Sequence, residues 1–215
     1  MKRIVGIVDY GVGNLYSVAQ ALEHAGAGVR LVSTAEELRR ADLLLLPGVG
    51  SFEAGMRELR ERGLVVPIVE YVHRGKPFLG ICLGMQLLFE VSEEFGEHAG
   101  LGLIPGRVTA IPPFGHDQRS HKIPHIGWNG LTLPSGRENW QGTILQGLSP
   151  GVSAYFVHSY TALPSNPNHR LADCDYDGCC ISAAVQADNV YGCQFHPEKS
   201  GDSGLRILKN FVSLN

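Results

Sequence analysis

The 215-residue sequence lacks a run of basic residues, an apolar stretch long enough to span a bilayer, internal repeats and low-complexity tracts. Clustered Lys and Arg are the usual footprint for phosphate backbones and lipid headgroups, and a membrane-spanning helix takes about 20 apolar residues. Neither nucleic acid nor membrane is therefore expected as a partner, in agreement with a net charge of −3. The apolar run at the N-terminus ends at Asp9, too early for a secretory signal.

Metal-binding and cofactor-binding motifs are also missing. The five cysteines are odd in number and lack paired Cys-X-X-Cys spacing, so we expect no zinc site and a reducing, cytoplasmic setting. His116, His121 and His125 are close in sequence, but no cysteine or carboxylate cluster joins them at ligand spacing. The turn at residues 11–13 has the first two glycines of a dinucleotide fingerprint, but Tyr16 stands at the third position. Neither a metal nor a cofactor is expected.

The hydrophobic pattern predicts an α/β fold in one domain of residues 1–215. With 44% hydrophobic residues the chain can bury a large core. The apolar runs Arg3–Val8, Val29–Val32 and Leu43–Leu46 alternate with helical patterns, which is typical of a mostly parallel open sheet with helices on both faces, in a flavodoxin-like three-layer arrangement. After Gly96, shorter strands are predicted, which would add antiparallel pairs: Leu103–Thr109, Ile126–Leu133, Tyr155–Tyr160, Cys180–Gln186 and Val190–Phe195.

One stretch of the sequence combines a strand, a sharp turn and a helix. The apolar run Phe78–Ile81 stops at Cys82, and a pattern with helical spacing follows from Gly84 through Phe89. The glycines at positions 80 and 84 make this the cysteine version of a nucleophile elbow, in which a strained turn pushes the central side chain out of the sheet. The N-terminal end of the helix would favour a thiolate there. The alternative is a buried structural cysteine.

A nucleophilic cysteine needs a base, and His196 is the strongest candidate among nine histidines. It follows the strand 190–195, and Pro197 restrains it to an extended conformation, so that Glu198 can reach back to the imidazole. His158 and His169 remain as alternatives. The histidines at positions 24, 73 and 98 lie among charged residues, where a solvated side chain is expected.

Six segments resemble a known family. GICLGMQ (80–86), QFHPEKS (194–200) and LPGVGSF (46–52) are similar to motifs of the class I, triad-type glutamine amidotransferases. Within that class, DYGVGN (9–14), KIPHIGWN (122–129) and YFVHSY (155–160) resemble the glutaminase subunits of imidazole glycerol phosphate synthase, which belong to histidine biosynthesis. The resemblance covers nearly the whole chain and implies the class I amidotransferase fold.

The resemblance also implies a role for each matching residue. Cys82 would attack the side-chain amide of glutamine and form a glutamyl thioester, His196 would act as base and then acid, and Glu198 would orient it. The implied oxyanion-hole donors are the N–H of Leu83 and an N–H of the loop 47–50, from Val49 or Gly50. The implied glutamine contacts are Gly48, Gln86, Ser159 and Tyr160.

The family passes ammonia to a (βα)8-barrel synthase subunit, which implies a heterodimer. Asn14, Trp128 and Tyr155 would face that partner, although core packing is an equal alternative for the two aromatic residues. Two other functions stay open: a glutaminase serving another synthase, of the pyridoxal phosphate or purine pathway, or a non-catalytic binding module of the same fold. No role is assigned to the remaining cysteines, Cys174, Cys179, Cys180 and Cys193.

Overall fold

Helices and strands alternate through the first half of the chain. The computed structural model describes residues 2–115 and 120–214. The helices α1 to α6 are Leu15–His24, Ala35–Arg40, Phe52–Glu61, Val65–His73, Leu83–Gln86 and Gly201–Val212. The strands β1 to β13 are Ile4–Val8, Gly28–Val32, Leu43–Leu46, Phe78–Ile81, Phe89–Ser92, His98–Ala99, Ile104–Ala110, His125–Gly130, Ser153–His158, Tyr160–Pro164, Arg170–Tyr176, Cys179–Ala187 and Val190–Cys193. Within the described ranges, no helix has both the length and the apolar character needed to cross a membrane.

Seven strands form the central sheet, in the order β11-β12-β13-β4-β3-β1-β2. Strands β2, β1, β3, β4 and β13 pair in parallel, and β12 and β11 extend the sheet with antiparallel pairs. The mostly parallel α/β sheet predicted from the sequence is therefore confirmed. Because β3, β4 and β13 are neighbours, the segments that follow Leu46, Ile81 and Cys193 all leave the sheet at the same edge.

Strand β3 shows why the sheet is covered on both faces. Its four leucines are fully buried. Leu43 and Leu45 join the core cluster that includes α1 and α6, while Leu44 and Leu46 join the cluster on the other face with α3 and α4. Successive side chains of a strand point to opposite faces, so a continuous apolar run is stable only between two layers of helices.

The second half of the chain adds two smaller sheets. One has four strands in the order β10-β7-β5-β6, with β10 and β7 antiparallel. The other is the antiparallel pair β8 and β9, which aligns Trp128 with Tyr155. Strands β9 and β10 are separated by Ser159 alone, so the chain passes directly from one small sheet to the other at this residue.

The helix predicted from Gly84 through Phe89 is wrong in its second half. Helix α5 ends at Gln86, and Phe89 begins β5. Continuing the helix would require the carbonyls of Leu87 and Leu88 to accept from the next turn. They accept instead from the N–H groups of residues 101, 103 and 104. These hydrogen bonds to a distant segment override the local helical spacing.

Candidate active site

Cys82 occupies a strained turn at the end of β4. Its φ of 54° lies in the left-handed region, which non-glycine residues rarely adopt. The flanking glycines are required by close approach: a Cβ on Gly84 would lie 1.9 Å from the carbonyl oxygen of Leu46, and a Cβ on Gly80 would lie 2.5 Å from the carbonyl oxygen of Gly84. The strand and sharp turn expected of a nucleophile elbow are present.

The Cys82 thiol is buried and sits among polar groups. Its Sγ lies 3.8 Å from the carbonyl oxygen of Val157 and 3.8 Å from Nε2 of Gln194, whose N–H is oriented to donate to the sulfur. Helix α5 has only four residues, so the dipole of a long helix expected behind the thiol is absent. The side-chain amide of Gln194 and the imidazole of His196 are the polar side chains beside the sulfur.

His196 reaches Cys82 because β13 pairs with β4. The pairing holds to the end of β13, since the N–H of Cys82, one residue beyond β4, donates to the carbonyl of Cys193 at 2.7 Å. The imidazole Nδ1 of His196 lies 2.8 Å from Oε1 of Glu198, and both side chains are almost fully buried. The contact predicted from the His-Pro-Glu sequence is present. Within the described residues, the other ring nitrogen, Nε2, is buried without a hydrogen-bond partner.

Electrostatics keep the His196 imidazole protonated. Burial, the largest single influence, lowers its pKa, but the interactions with Cys82 and Glu198 together outweigh burial and raise the pKa to about 9. A histidine with such a pKa is a cation at neutral pH. The neighbouring carboxylate and sulfur are the groups that stabilise that cation.

The loop after β3 lies against the elbow. The buried hydroxyl of Tyr10 donates to the carbonyl of Pro47 at 2.8 Å. A Cβ on Gly48 would lie 2.9 Å from the Gly84 nitrogen, so this position also packs tightly. Gly50 has a φ of 95° and open space around its Cα, while Val49 is exposed. The loop is therefore tight at its start and unrestrained at Gly50.

These elements enclose a cleft of about 330 Å³. Its lining residues are Val49, Gly50, Cys82, Leu83, Gln86, Glu94, Pro124, Val157, His158, Ser159, Tyr160 and His196. Eight of the predicted site residues belong to this set. Gly48 and Glu198 lie behind the lining, where they support the loop and the imidazole. A volume near 300 Å³ suits a small-molecule substrate.

Gln86 and Gln194 form a hydrogen-bonded chain from the cleft wall to the sulfur. Nε2 of Gln86 donates to the carbonyl of Tyr160 at 3.2 Å and to Oε1 of Gln194 at 3.0 Å. Both hydrogens of the Gln86 amide are thus used within the protein, which leaves its Oε1 to accept from a ligand. Gln194 stands in the QFHPEKS segment, but its contact with Cys82 was not anticipated from the sequence.

Glu94 is a charged residue of the cleft lining that the sequence did not indicate. It follows β5 and reaches the cleft, where its Oε2 accepts from the backbone N–H of Phe52 at 2.5 Å. Burial and, after it, the Glu94 carboxylate raise the pKa of the Tyr160 phenol, which places this negative charge beside the predicted glutamine contacts. An acid in a Ser-Glu-Glu-Phe segment gives no local signal of such a role.

The residues predicted to face a partner lie away from the lining of the cleft. Trp128 is 57% exposed, so core packing is wrong for this residue. It meets the half-buried Tyr155 edge to face, with ring centroids 5.8 Å apart. Asn14 is exposed and caps α1, since its side chain accepts from the N–H of Ser17 at 3.2 Å. Exposed Ile126 lies on the same face of β8 as Trp128.

The four other cysteines, and His121 and His125, are not among the residues that line the cleft, whereas His158, weighed as an alternative base, is. All five cysteines are free thiols, and of the four besides Cys82 only Cys180 is exposed. Across residues 2–115 and 120–214, no three His, Cys, Asp or Glu side chains cluster as a metal site would require. His116, one of the three histidines considered for a metal, lies outside the described residues.

Comparison with known proteins gives matches over nearly the whole chain. Residues 6–214 match the family Glutamine amidotransferase class-I. Imidazole glycerol phosphate synthase subunit HisH 1 of Legionella pneumophila (strain Lens) is 55% identical over 210 residues, which cover 98% of this chain and 99% of that protein. Subunit HisH of Syntrophotalea carbinolica is 48% identical over 209 residues, covering 97% and 98%.

Solved structures agree on the fold. The structure of PurLQS from Thermotoga maritima has a TM-score of 0.75 and 21% identity, covering 99% of this chain and 98% of that one. A crystal structure described as a glutamine amidotransferase has a TM-score of 0.73 and 20% identity, covering 98% and 99%. The resemblance drawn from the sequence motifs is confirmed, and the chain belongs to the class I glutamine amidotransferase family.

Proposed function

We propose that this chain is the glutaminase subunit of an imidazole glycerol phosphate synthase, with Cys82, His196 and Glu198 as its catalytic residues. The observation that carries the proposal is the buried contact between Glu198 and His196 at the cleft that Cys82 lines. The relatives at 55% and 48% identity bear the names of that synthase's HisH subunit, not of a purine or pyridoxal phosphate enzyme. An intact set of three side chains also favours an enzyme over a binding module.

The reaction begins at the sulfur of Cys82. Its thiolate attacks the side-chain carbonyl carbon of glutamine, and a tetrahedral intermediate forms. With its pKa raised to about 9, His196 is protonated at neutral pH and can give its proton to the leaving nitrogen. Ammonia leaves and a glutamyl thioester remains. The neutral imidazole then takes a proton from water, which attacks the thioester and releases glutamate.

The negative oxygen of each intermediate needs backbone donors. One is the N–H of Leu83, directly after the nucleophile, and the second is an N–H of the loop 47–50, at Val49 or Gly50. Loss of a single donor of this kind costs about 3 to 4 kcal/mol of barrier. Gly50 has open space and tolerates both signs of φ, so a peptide rotation in this loop could switch the activity.

The amino-acid end of glutamine would bind at the opposite wall of the cleft. Oε1 of Gln86 and the carboxylate of Glu94 are acceptors for its ammonium group. The backbone of Ser159 and Tyr160 provides contacts for its carboxylate, and Gly48 keeps the wall close to the elbow. This assignment gives Glu94 a binding role that the sequence did not suggest.

Ammonia is useful only if it reaches a second active site before it is protonated in water. We propose that the chain forms a heterodimer with a (βα)8-barrel synthase subunit, which receives ammonia, and that Asn14, Trp128 and Tyr155 face it. The exposed Trp128 supports this surface, because it lies with Tyr155 and exposed Ile126, and clustered Trp and Tyr side chains often anchor interfaces. The five free thiols fit a cytoplasmic setting.

The test is glutamine hydrolysis by the chain with and without the barrel subunit and its nucleotide ligand. We expect the partner to raise hydrolysis by orders of magnitude, and Cys82→Ala to abolish glutamine-dependent synthesis while ammonium salts still support the barrel's reaction. Cys180→Ala is the matched control, because that exposed thiol lies outside the cleft lining. Glutamine-dependent synthesis by Cys82→Ala would refute the nucleophile, and full turnover by the isolated chain would refute control by the partner.

A further inference from the structure

A buried histidine pair lies beside the cleft and has no part in the mechanism above. Nδ1 of His125, on β8, lies 3.0 Å from Nε2 of His158, on β9. His125 is fully buried and its ring stacks on those of Tyr176 and Phe156, at centroid distances of 4.0 and 4.8 Å. A buried polar pair needs hydrogen-bond partners at each nitrogen, and both outer nitrogens have one.

Both outer partners of the pair are acceptors. Nδ1 of His158 lies 2.8 Å from the carbonyl oxygen of Tyr160. Nε2 of His125 lies 3.1 Å from Oδ1 of Asn129, and this amide is held in that orientation because its Nδ2 donates to the carbonyl of Asp175 at 2.8 Å. Acceptors cannot donate, so each end of the pair calls for an N–H. The contact between the two rings calls for a third.

Two neutral imidazoles carry only two N–H groups. Burial lowers the pKa of both rings, that of His158 to about 3, so the pair is neutral at neutral pH. One of the three contacts therefore lacks its hydrogen. The contact between the two rings is buried, whereas the contacts with Asn129 and Tyr160 are both partly buried. An unmade hydrogen bond costs least where solvent is near, which leaves these two contacts. The contact with Asn129 is the longer and weaker of them, at 3.1 Å against 2.8 Å, so it is the one left without a hydrogen. The hydrogens then sit on Nδ1 of both rings.

Through Tyr160 the pair reaches the reactive sulfur. The Tyr160 carbonyl accepts from His158 and also from Gln86, at 3.2 Å. Gln86 in turn donates to Gln194, which contacts Cys82. His158 is thus the donor that orients the Tyr160 carbonyl, which also accepts from the Gln86 amide. His125 is the donor that fixes the tautomer of His158.

We propose that His125 and His158 are positioning residues for the glutamine site, both held as Nδ1–H tautomers so that His158 donates to the Tyr160 carbonyl. The inference rests on the proposed glutaminase function for its kinetic consequence. The pair would keep Tyr160 and Gln86 in the geometry that binds the amino-acid end of glutamine. Losing it weakens substrate binding more than it slows the chemical step.

The kinetic test compares two replacements of His158 in the complex with the barrel subunit. An asparagine can present an amide N–H near the position of Nδ1, whereas leucine has no donor. We expect His158→Leu to raise KM for glutamine roughly tenfold with a much smaller change in kcat, and His158→Asn to restore most of the loss. His24→Leu, at an exposed position of α1, is the control. Equal KM values for the leucine variant and the unaltered chain would overturn the proposal, as would equal losses in both His158 variants.

The second test reads the tautomers directly in the isolated chain. Nitrogen-15 NMR of the imidazoles, with His125→Gln and His158→Asn to assign the signals, should show a protonated Nδ1 and a bare Nε2 in both rings. A hydrogen on Nε2 of His158 would overturn the assignment. This measurement needs no enzymatic activity. A failure of the proposed function would appear as absent glutamine hydrolysis by the unaltered complex, so the two failures are distinguishable.

Discussion

Replacing Glu198 by Gln removes one buried negative charge and keeps the shape of the side chain. The carboxylate lies 2.8 Å from Nδ1 of His196, and only 2% of its side chain is exposed. The resulting pKa of about 9 for His196, against an ordinary value of 6.5, favours the imidazolium by about 3 kcal/mol. Cys82 and Glu198 share this effect, so the loss of Glu198 removes about half of it. A loss of about 1.5 kcal/mol corresponds to roughly one order of magnitude in rate.

We therefore expect Glu198→Gln to lower kcat/KM for glutamine by roughly ten- to thirtyfold in the complex with the barrel subunit. The assay is glutamine hydrolysis between pH 5 and 10, with alkylation of Cys82 by iodoacetamide as a second readout. Since the carboxylate raises the pKa of His196, its loss moves the titration of this group to lower pH. Glu93→Gln is the matched control, because Glu93 forms an exposed ion pair with Arg107.

The pH dependence of the unfolding free energy tests the same variant independently. A raised folded-state pKa stabilises the fold in full below the unfolded value of about 6.5, and this contribution disappears as the pH rises through about 9. The difference in unfolding free energy between the unaltered chain and Glu198→Gln should therefore be largest near pH 6 and shrink towards pH 10. An unchanged rate and an unchanged pH midpoint would refute the assignment of Glu198.

Two further substitutions test binding. Glu94→Gln should raise KM for glutamine about 10- to 100-fold, which is the usual contribution of a charge-assisted hydrogen bond. The amide oxygen of the variant can still accept from the N–H of Phe52. An unchanged KM in steady-state kinetics would argue against a contact between Glu94 and the ammonium group. Trp128→Ala should weaken association with the barrel subunit at least tenfold by calorimetry and leave the unfolding temperature nearly unchanged. The control is Val66→Ala, at a similarly exposed position of α4, which should leave the affinity intact. The reverse pattern would show that Trp128 lies outside the interface.

The parts of the fold that the sequence predicts well are those in which local pattern and tertiary packing agree. The run 43–46 is apolar throughout and lies between two helical layers. The segment after Gln86 behaves differently, because its carbonyls bond to residues 101–104 and no local pattern reports such a partner. Strand β11 was missed for a related reason: Asp173 and Asp175 interrupt its apolar residues, although Asp173 is buried in an ion pair with Arg170.

The candidate site likewise contains residues with a local sequence signal and residues whose role depends on tertiary contacts. Cys82, His196 and Glu198 can be predicted from the sequence, because a strained turn and a short-range contact require the glycines and the proline beside them. Glu94 and the pair of His125 and His158 do not, since their importance arises from which strands the fold brings together. The pairing of β8 with β9 creates the histidine contact, and the end of β5 carries the carboxylate to the cleft.

The hydrogen bond from Tyr10 to Pro47 has a consequence for how the loop beside the elbow can move. Burial and the nearby Cys82 raise the pKa of the Tyr10 phenol, so it keeps its proton and remains a donor throughout the physiological range. The root of the loop is thereby anchored to the end of β1. The residue held by Tyr10, Pro47, lies between β3 and the peptides at residues 48–50. If the loop rotates as proposed, this hydrogen bond would separate its movement from the core that holds Cys82.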